Sequence, residues 1–530
     1  MKLLSHPAVT ALGATTIIFM VWLAPLASGF HETLYTHPGS VAAVVVPLYI
    51  GFFCTWLFWT LVLLLSRHHG IARIIVWTVL AVILCRELLE ASLALRPTDD
   101  PLRPVAFPST HTNIVFALCM AVLVVALPVL RYRKPRFALR AKWLGTTILG
   151  FVGFSGVLTL LQIASYTWQA RNLNTPQPQH QAVAAGTPVP GGHRIVWILF
   201  DELSYRQLYE HRFSDLQMPA FDGLAKEATV FTDVRPQGKL TLDVIPALLS
   251  GVSDTDIRIP ASGAPLSVKN SDTGKYQLFN PQQTVFQDAV NAGYSTAVAG
   301  WIFPYCRLLP QQLDRCFYAA PGGLVADLST TQTIAENVKQ LFTHPFVDRA
   351  VELRLMKRPP APQPPDVPKE LYKQLLDHSV ADIQDPSVNF LYIHMNIPHP
   401  KGYFNRHTGQ FVENGTYIDN LALADIFLGH IRSALEATGS WDNTTLIIMG
   451  DHSWRTYGWS KDMYWTPEEQ LASDGGKFDD RPGYIVKLAG QTTPARIDTP
   501  FPAIRTRSLV KNLIQNKITT PEQLAAWVNK

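Results

Sequence analysis

Charge is what this sequence has least of. Asp, Glu, Lys and Arg make up 16% of its 530 residues against 47% apolar residues, a balance foreign to a wholly water-soluble chain. The net charge of +4 is too small at this length to hold a polyanion, and no basic stripe carries interleaved aromatics, which excludes nucleic acid as a partner. No internal repeat organises the chain. Cysteine is sparse too. Of the five, Cys54, Cys85 and Cys119 fall inside apolar runs, leaving Cys306 and Cys316 with nine residues between them.

The shortage of charge is local. Most long apolar runs lie before residue 166, and most Asp and Glu lie after residue 193. Five apolar segments stand in the first part: Val9–Phe30, Val41–Leu65, Ile74–Leu95, Thr112–Leu130 and Trp143–Ser165. Each approaches the ~20 residues that cross a bilayer core, so residues 1–166 are expected to be a membrane domain of five transmembrane helices. Arg86, Glu87 and Glu90 interrupt the third segment and are expected near the outer interface or paired with one another.

Lys and Arg set the expected orientation. The loop Arg131–Lys142 carries six cations and no acid, and Arg67 and Arg73 make another loop basic, whereas His31–Ser40 has neither Lys nor Arg. The positive-inside rule puts the N-terminus in the cytoplasm and everything beyond the fifth helix outside a bacterial-type cytoplasmic (inner) membrane. Ala24–Gly29 has the small residues of a signal-peptidase site, but the length of the apolar stretch favours an uncleaved helix. An oxidising compartment would let Cys306 and Cys316 close a disulfide; two free thiols are the alternative.

Residues 167–192 read as a linker, with an uncharged stretch rich in Pro, Gln and Ala at Asn172–Gly192. From residue 193 to 530 the pattern changes. Short apolar runs at Ile195–Phe200, Asn389–Ile393, Thr445–Met449 and Tyr484–Leu488 read as buried strands, and Glu370–Ile383 and Asn420–Ala437 have helical spacing. The alternation predicts an α/β domain with a mostly parallel central sheet.

In such sheets functional residues gather just past the carboxyl ends of the strands. The first strand runs into Asp201-Glu202, the second into His394 and then His399, the third into Asp451-His452. Carboxylates and an imidazole suit one divalent ion, zinc or manganese. Thr241 opens an apolar stretch, Thr241–Gly251, that reads as the start of a helix, where free N–H groups and the helix dipole favour an anion. Its hydroxyl is a candidate nucleophile; an ordinary Thr cap is the plainer alternative.

These residues resemble the alkaline phosphatase and sulfatase superfamily along most of 193–490. Ile195–Leu203 is similar to its first metal strand, with Asp201 in the ligand place. Met218–Phe231 resembles the segment before the nucleophile, Ala292–Gly300 the next strand, Phe390–His399 the Pro-His strand end, and Thr444–His452 the Ser-Asp-His motif. Counting ten back from Gly251 puts Thr241 at the nucleophile position.

The departures narrow what the resemblance implies. Sulfatases carry Cys or Ser, x, Pro, Ser, Arg at the nucleophile, so that it can become formylglycine. Thr241 cannot, and no Arg follows it in that pattern. A Thr nucleophile behind membrane helices resembles the phosphoethanolamine transferases and the phosphoglycerol transferases of the lipoteichoic-acid-synthase type. That likeness implies a covalent phospho-Thr241, a membrane phospholipid as donor, and an envelope glycan or lipid as acceptor. It also implies metal ligands Asp201, Asp451 and His452, with His399, His394 and Glu202 near the substrate. The alternatives are a membrane-anchored hydrolase of phosphate or sulfate esters and a non-catalytic envelope protein on the same fold. The second draws on Trp454, Arg455 and Tyr457 standing where a further His is expected.

Overall fold

The structure, a computed structural model, describes residues 6–20, 22–24, 26–27, 40–94, 135–170, 193–258, 266–271, 273–319, 328, 332–352, 367–462 and 464–530. The chain divides into two units.

The second unit, Leu173–Gly322 with Pro360–Lys530, is built on an eight-stranded sheet. Its strands are β1 (Arg194–Asp201), β2 (Thr229–Phe231), β3 (Thr296–Trp301), β4 (Arg315–Ala319), β5 (Phe390–Pro398), β6 (Thr444–Gly450), β7 (Tyr484–Lys487) and β8 (Ala495–Ile497). The spatial order is β8-β2-β7-β6-β1-β5-β3-β4. The five strands from β6 to β4 run parallel, while β7 pairs antiparallel with both β6 and β2. The sheet is therefore mostly parallel, as expected, with the Tyr484 strand reversed.

Continuous apolar strands are what a sheet covered on both faces requires. In β1, Ile195, Trp197 and Leu199 face one core, and Val196, Ile198 and Phe200 face the other; all six are fully buried. The first core is closed by Val244, Ile245 and Leu248 of the helix Thr241–Ser250 and by Leu509 and Leu513 of Thr506–Ile514. The second is closed by Leu371 and Leu375 of Val367–Gln384 and by Leu421, Phe427 and Leu428 of Tyr417–Ala437. Each such side chain contributes about 1.5–3 kcal/mol by leaving water. Tyr417–Ala437 starts at a reciprocal cap in which Thr416 and Asp419 satisfy each other's backbone N–H. Placed centrally, β1 brings its carboxyl end beside those of β6 and β5.

In the first unit, Pro7–Ile18, Val41–Leu65, Gly70–Ala94 and Pro135–Ala170 are helices. Val41–His68 and Trp143–Trp168 are long and apolar enough to cross a membrane. Two of the five expected spans thus pass that test. Pro7–Ile18 and Gly70–Ala81 are shorter apolar helices, and Thr112–Leu130 lies outside the described residues. Large apolar side chains such as Leu57, Phe58, Phe151 and Phe154 face outward from the two long helices. Pro7–Ile18 packs closely on Pro135–Ala170: a Cβ at Gly13 would come 2.0 Å from the Leu149 carbonyl oxygen. Small residues permit such approach between apolar helices.

The helix Ile334–Glu352 also belongs to the first unit, because Gly323–Pro359 groups with the N-terminal helices. Fully buried Asn337 donates from Nδ2 to the Ala43 carbonyl at 2.8 Å. Gly323–Pro359 lies within the span 193–530 expected as one domain. The linker expected over 167–192 is helical through Ala170, and its remainder lies outside the described residues.

Candidate active site

The parallel strands end together at one rim of the second unit. Asp201 closes β1, and Asp451 and His452 follow β6, whose Gly450 pairs with Phe200. All three are buried, and one ligand atom from each can be chosen so that all lie within 4.8 Å of one another. Asp451 is held through Oδ1, which accepts from the N–H of Glu202 at 3.0 Å and of His452 at 2.7 Å. The His452 Nδ1–H donates to the Ser453 carbonyl at 3.1 Å, which leaves Nε2 with its lone pair.

What remains is a set of unpartnered donor atoms. Asp451 Oδ2 and His452 Nε2 approach to 3.2 Å without hydrogen-bond geometry, and neither has a protein partner. Buried polar atoms are seldom left this way. Burial first, then the neighbouring Asp451 and Glu202 carboxylates, raise the Asp201 pKa well above the ordinary range. A divalent cation would relieve both the repulsion and the orphaned lone pairs. Two carboxylates and an imidazole are the chemistry of a zinc or manganese site, so the residues fit the implied ion.

Thr241 lies beside this cluster. It is the first residue of its helix, and the capping position belongs to Leu240, whose side chain bonds no backbone. The Thr241 hydroxyl is therefore not an ordinary cap. It is 8% exposed and donates to Asp201 Oδ1 at 3.5 Å. The helix ends at Gly251, whose φ of 72° is a left-handed conformation natural to glycine.

The other expected residues separate. His399 follows β5, is partly open, and sits edge-on between Trp301 and Trp459. Burial lowers its pKa, against the pull of Glu202. His394 does not end a strand: β5 runs on to Pro398, and His394 is wholly buried within it. Its Nε2 accepts from Trp301 Nε1 at 3.0 Å, and its Nδ1 meets the Tyr305 hydroxyl at 2.9 Å. Both nitrogens are occupied, and burial pushes its pKa down to about 3. His394, expected near the substrate, therefore lies in the core with neither ring nitrogen open.

Glu202 is engaged by protein as well. It is fully buried, with φ 66°, and both its oxygens are engaged by protein. Oε2 accepts from the Arg455 N–H at 3.0 Å, and Oε1 accepts from Arg455 Nε at 2.7 Å and from Trp459 Nε1 at 3.0 Å. Glu202 anchors Arg455, and it also groups with Asp201 and His399 as a second set of ligand atoms within 4.8 Å of one another. Arg455 and Trp459 were not singled out in the sequence as site residues, and Arg455's place three positions past His452 was the one available signal.

Cys306 and Cys316 are joined by a disulfide, with Cα atoms 5.6 Å apart. An open cleft of about 730 Å³ has Lys239, Arg235, Arg481, Asp480 and Phe478 in its lining. Lys239 stands two residues before Thr241, and its carbonyl accepts from Arg455 Nη1 at 3.4 Å.

The sequence profile described as Sulfatase matches residues 193–495. No curated protein matches the chain. Among solved structures, the lipoteichoic acid synthase LtaP from Listeria monocytogenes is 13% identical, with 64% of this chain and 76% of that one covered and a TM-score of 0.38. The phosphonate monoester hydrolase of Agrobacterium radiobacter is 14% identical, with 61% and 74% covered and a TM-score of 0.36. The PsFucS1 sulfatase from Pseudoalteromonas sp. is 13% identical, with 67% and 71% covered and a TM-score of 0.40. With more than half its length matched, the chain belongs to the Sulfatase family.

Proposed function

We propose that this protein is a metal-dependent transferase that moves a phosphorylated headgroup from a membrane phospholipid to a cell-envelope glycan or lipid through phospho-Thr241. The observation that carries the reading is the buried Thr241 hydroxyl, turned from its capping role toward Asp201, next to unpartnered Asp451 Oδ2 and His452 Nε2. Asp201, Asp451 and His452 would hold the ion, which supplies charge neutralisation and a more acidic hydroxyl.

Asp201 Oδ1 accepts the Thr241 hydrogen bond and so orients the oxygen lone pairs away from the carboxylate. In the first step a bond forms from Thr241 Oγ1 to phosphorus and the lipid ester bond breaks; the threonine proton ends on the departing lipid hydroxyl. In the second step an acceptor hydroxyl attacks phosphorus, and Thr241 regains a proton. Asp451 stays fixed by two backbone N–H groups, so the site pays little reorganisation as charge shifts.

The proposal includes a multi-pass anchor with the N-terminus in the cytoplasm and the Sulfatase-family unit outside. Two membrane-length helices, the cation-rich loop Arg131–Lys142 and a disulfide suited to an oxidising compartment support it. Full-length protein in detergent, given headgroup-labelled phospholipid and an envelope extract, should move label into glycan or lipid. Thr241→Ala should abolish this. Turnover retained by that variant, or label released only to water, would exclude the transferase.

A further inference from the structure

We infer that Arg455, braced by Glu202, forms the seat for a non-bridging phosphoryl oxygen of the substrate. This rests on the phosphoryl chemistry proposed above. The site's acidic load is the reason a seat is needed. Asp201, Glu202 and Asp451 are all buried at the strand ends, and an anionic ester must enter beside them. Arg455 is the cation built into that neighbourhood. Glu202 and the nearby Asp201 and Asp451 raise its pKa, overcoming the opposing effect of burial, so the guanidinium is fixed in its charged form.

The geometry separates an anchored edge from an open one. Glu202, with no side-chain exposure, takes Nε and Nη2 of Arg455, and the ring of Trp459 lies 5.7 Å from the guanidinium carbon. The carbonyl of Lys239 takes one Nη1 hydrogen. Of the five guanidinium hydrogens, the second on Nη1 keeps no acceptor among the described residues. The Nη2 that bonds Glu202 also reaches His399 Nε2, at 3.4 Å. Arg455 and His399 have 17% and 28% of their side chains exposed, whereas Glu202 beneath them is closed. A planar donor, held on one side by a buried carboxylate and open on the other, is a mount for an oxyanion.

The competing role is purely structural, with Arg455 as counter-ion to Glu202. The double variant Glu202→Gln with Arg455→Met separates the two roles, because it removes both charges together and spares the fold an orphaned carboxylate. Metal-loaded full-length protein in detergent is titrated with inorganic phosphate by calorimetry, and its KM and kcat are measured with phospholipid in mixed micelles. Melting temperature and bound metal should stay near wild type. Phosphate affinity should fall roughly tenfold or more, as expected for lost charge-assisted hydrogen bonds. The lipid KM should rise or kcat fall in parallel, and Arg455→Lys should recover only part. Unchanged phosphate affinity, or a loss confined to inorganic phosphate while lipid kinetics hold, would overturn the assignment. Thr241→Ala should keep phosphate affinity. Lipid turnover by that variant would refute the phospho-Thr mechanism without touching the phosphate isotherm.

Discussion

Taking the divalent ion away should destabilise the Sulfatase-family unit, and Asp201→Asn should partly reverse that loss. The two carboxylates Asp201 and Asp451 are at most 1% exposed, and burial, then the neighbouring Asp451 charge, disfavour ionisation of Asp201. A cation converts that repulsion into ligation. Mass action sets the size: metal at a hundred times its dissociation constant adds about 2.7 kcal/mol to the folded state. For a unit of this size that is on the order of 5 °C in melting temperature. The assay is differential scanning fluorimetry of detergent-solubilised protein, first with chelator and then with zinc or manganese restored. Wild type should rise by several degrees on restoration. Asp201→Asn should melt higher than wild type in chelator, since one buried charge is gone, and should gain much less from metal. An Asn variant that melts lower than wild type in chelator, or responds to metal as fully as wild type, would refute the account of this cluster.

Other outcomes follow from parts of the unit away from the ion. Replacing Cys306 and Cys316 together by Ser opens a loop with a sequence separation of 10 and should cost roughly 3 kcal/mol in urea unfolding; an unchanged midpoint would count against a formed bond. Burial raises the pKa of Asp382 to about 6 despite its 2.7 Å pair with Arg315. The folded value lies above the unfolded one, so this carboxyl's contribution is present below pH ~4 and fades as pH rises toward ~6. Arg315 keeps Asp385 at 2.6 Å, so Asp382→Asn should match wild type at pH 4 and exceed it by a few degrees at pH 7.5; a variant less stable at pH 7.5 contradicts this. His394→Phe orphans the Trp301 N–H and should cost on the order of 1–3 kcal/mol while leaving phosphate affinity intact. Weakened phosphate binding would return His394 to the substrate.

Legibility in the sequence followed how local each cause was. Ile195–Phe200 and Thr445–Met449 were readable because central parallel strands are apolar on both faces, and the acids ending them fell on the rim for the same reason. His394 was misplaced because the apolar run breaks at its imidazole while the strand does not. Trp301 and Tyr305, roughly ninety residues earlier, supply the partners that let a histidine stay inside. Arg455 reads in the sequence only as a departure from the family pattern, since its meaning depends on Glu202, which is 253 residues away. The placing of Ile334–Glu352 with the N-terminal helices rests on its packing against Val41–Leu65, where Leu341 lies over Gly51 and Asn337 reaches Ala43, and no periodicity reveals that. Thr241 was legible as a helix start, but only the structure separates its hydroxyl from the cap.

The central claim is that Thr241 carries the transferred group, and peptide mapping tests it most directly. Full-length protein is loaded with metal, given phospholipid without acceptor, quenched in acid and digested. The account predicts that the peptide containing Thr241 gains the mass of the phosphorylated headgroup at Thr241 itself, and that the adduct disappears when acceptor is added. An unmodified Thr241 during active turnover, or an adduct on Ser250 or any other residue, would contradict it.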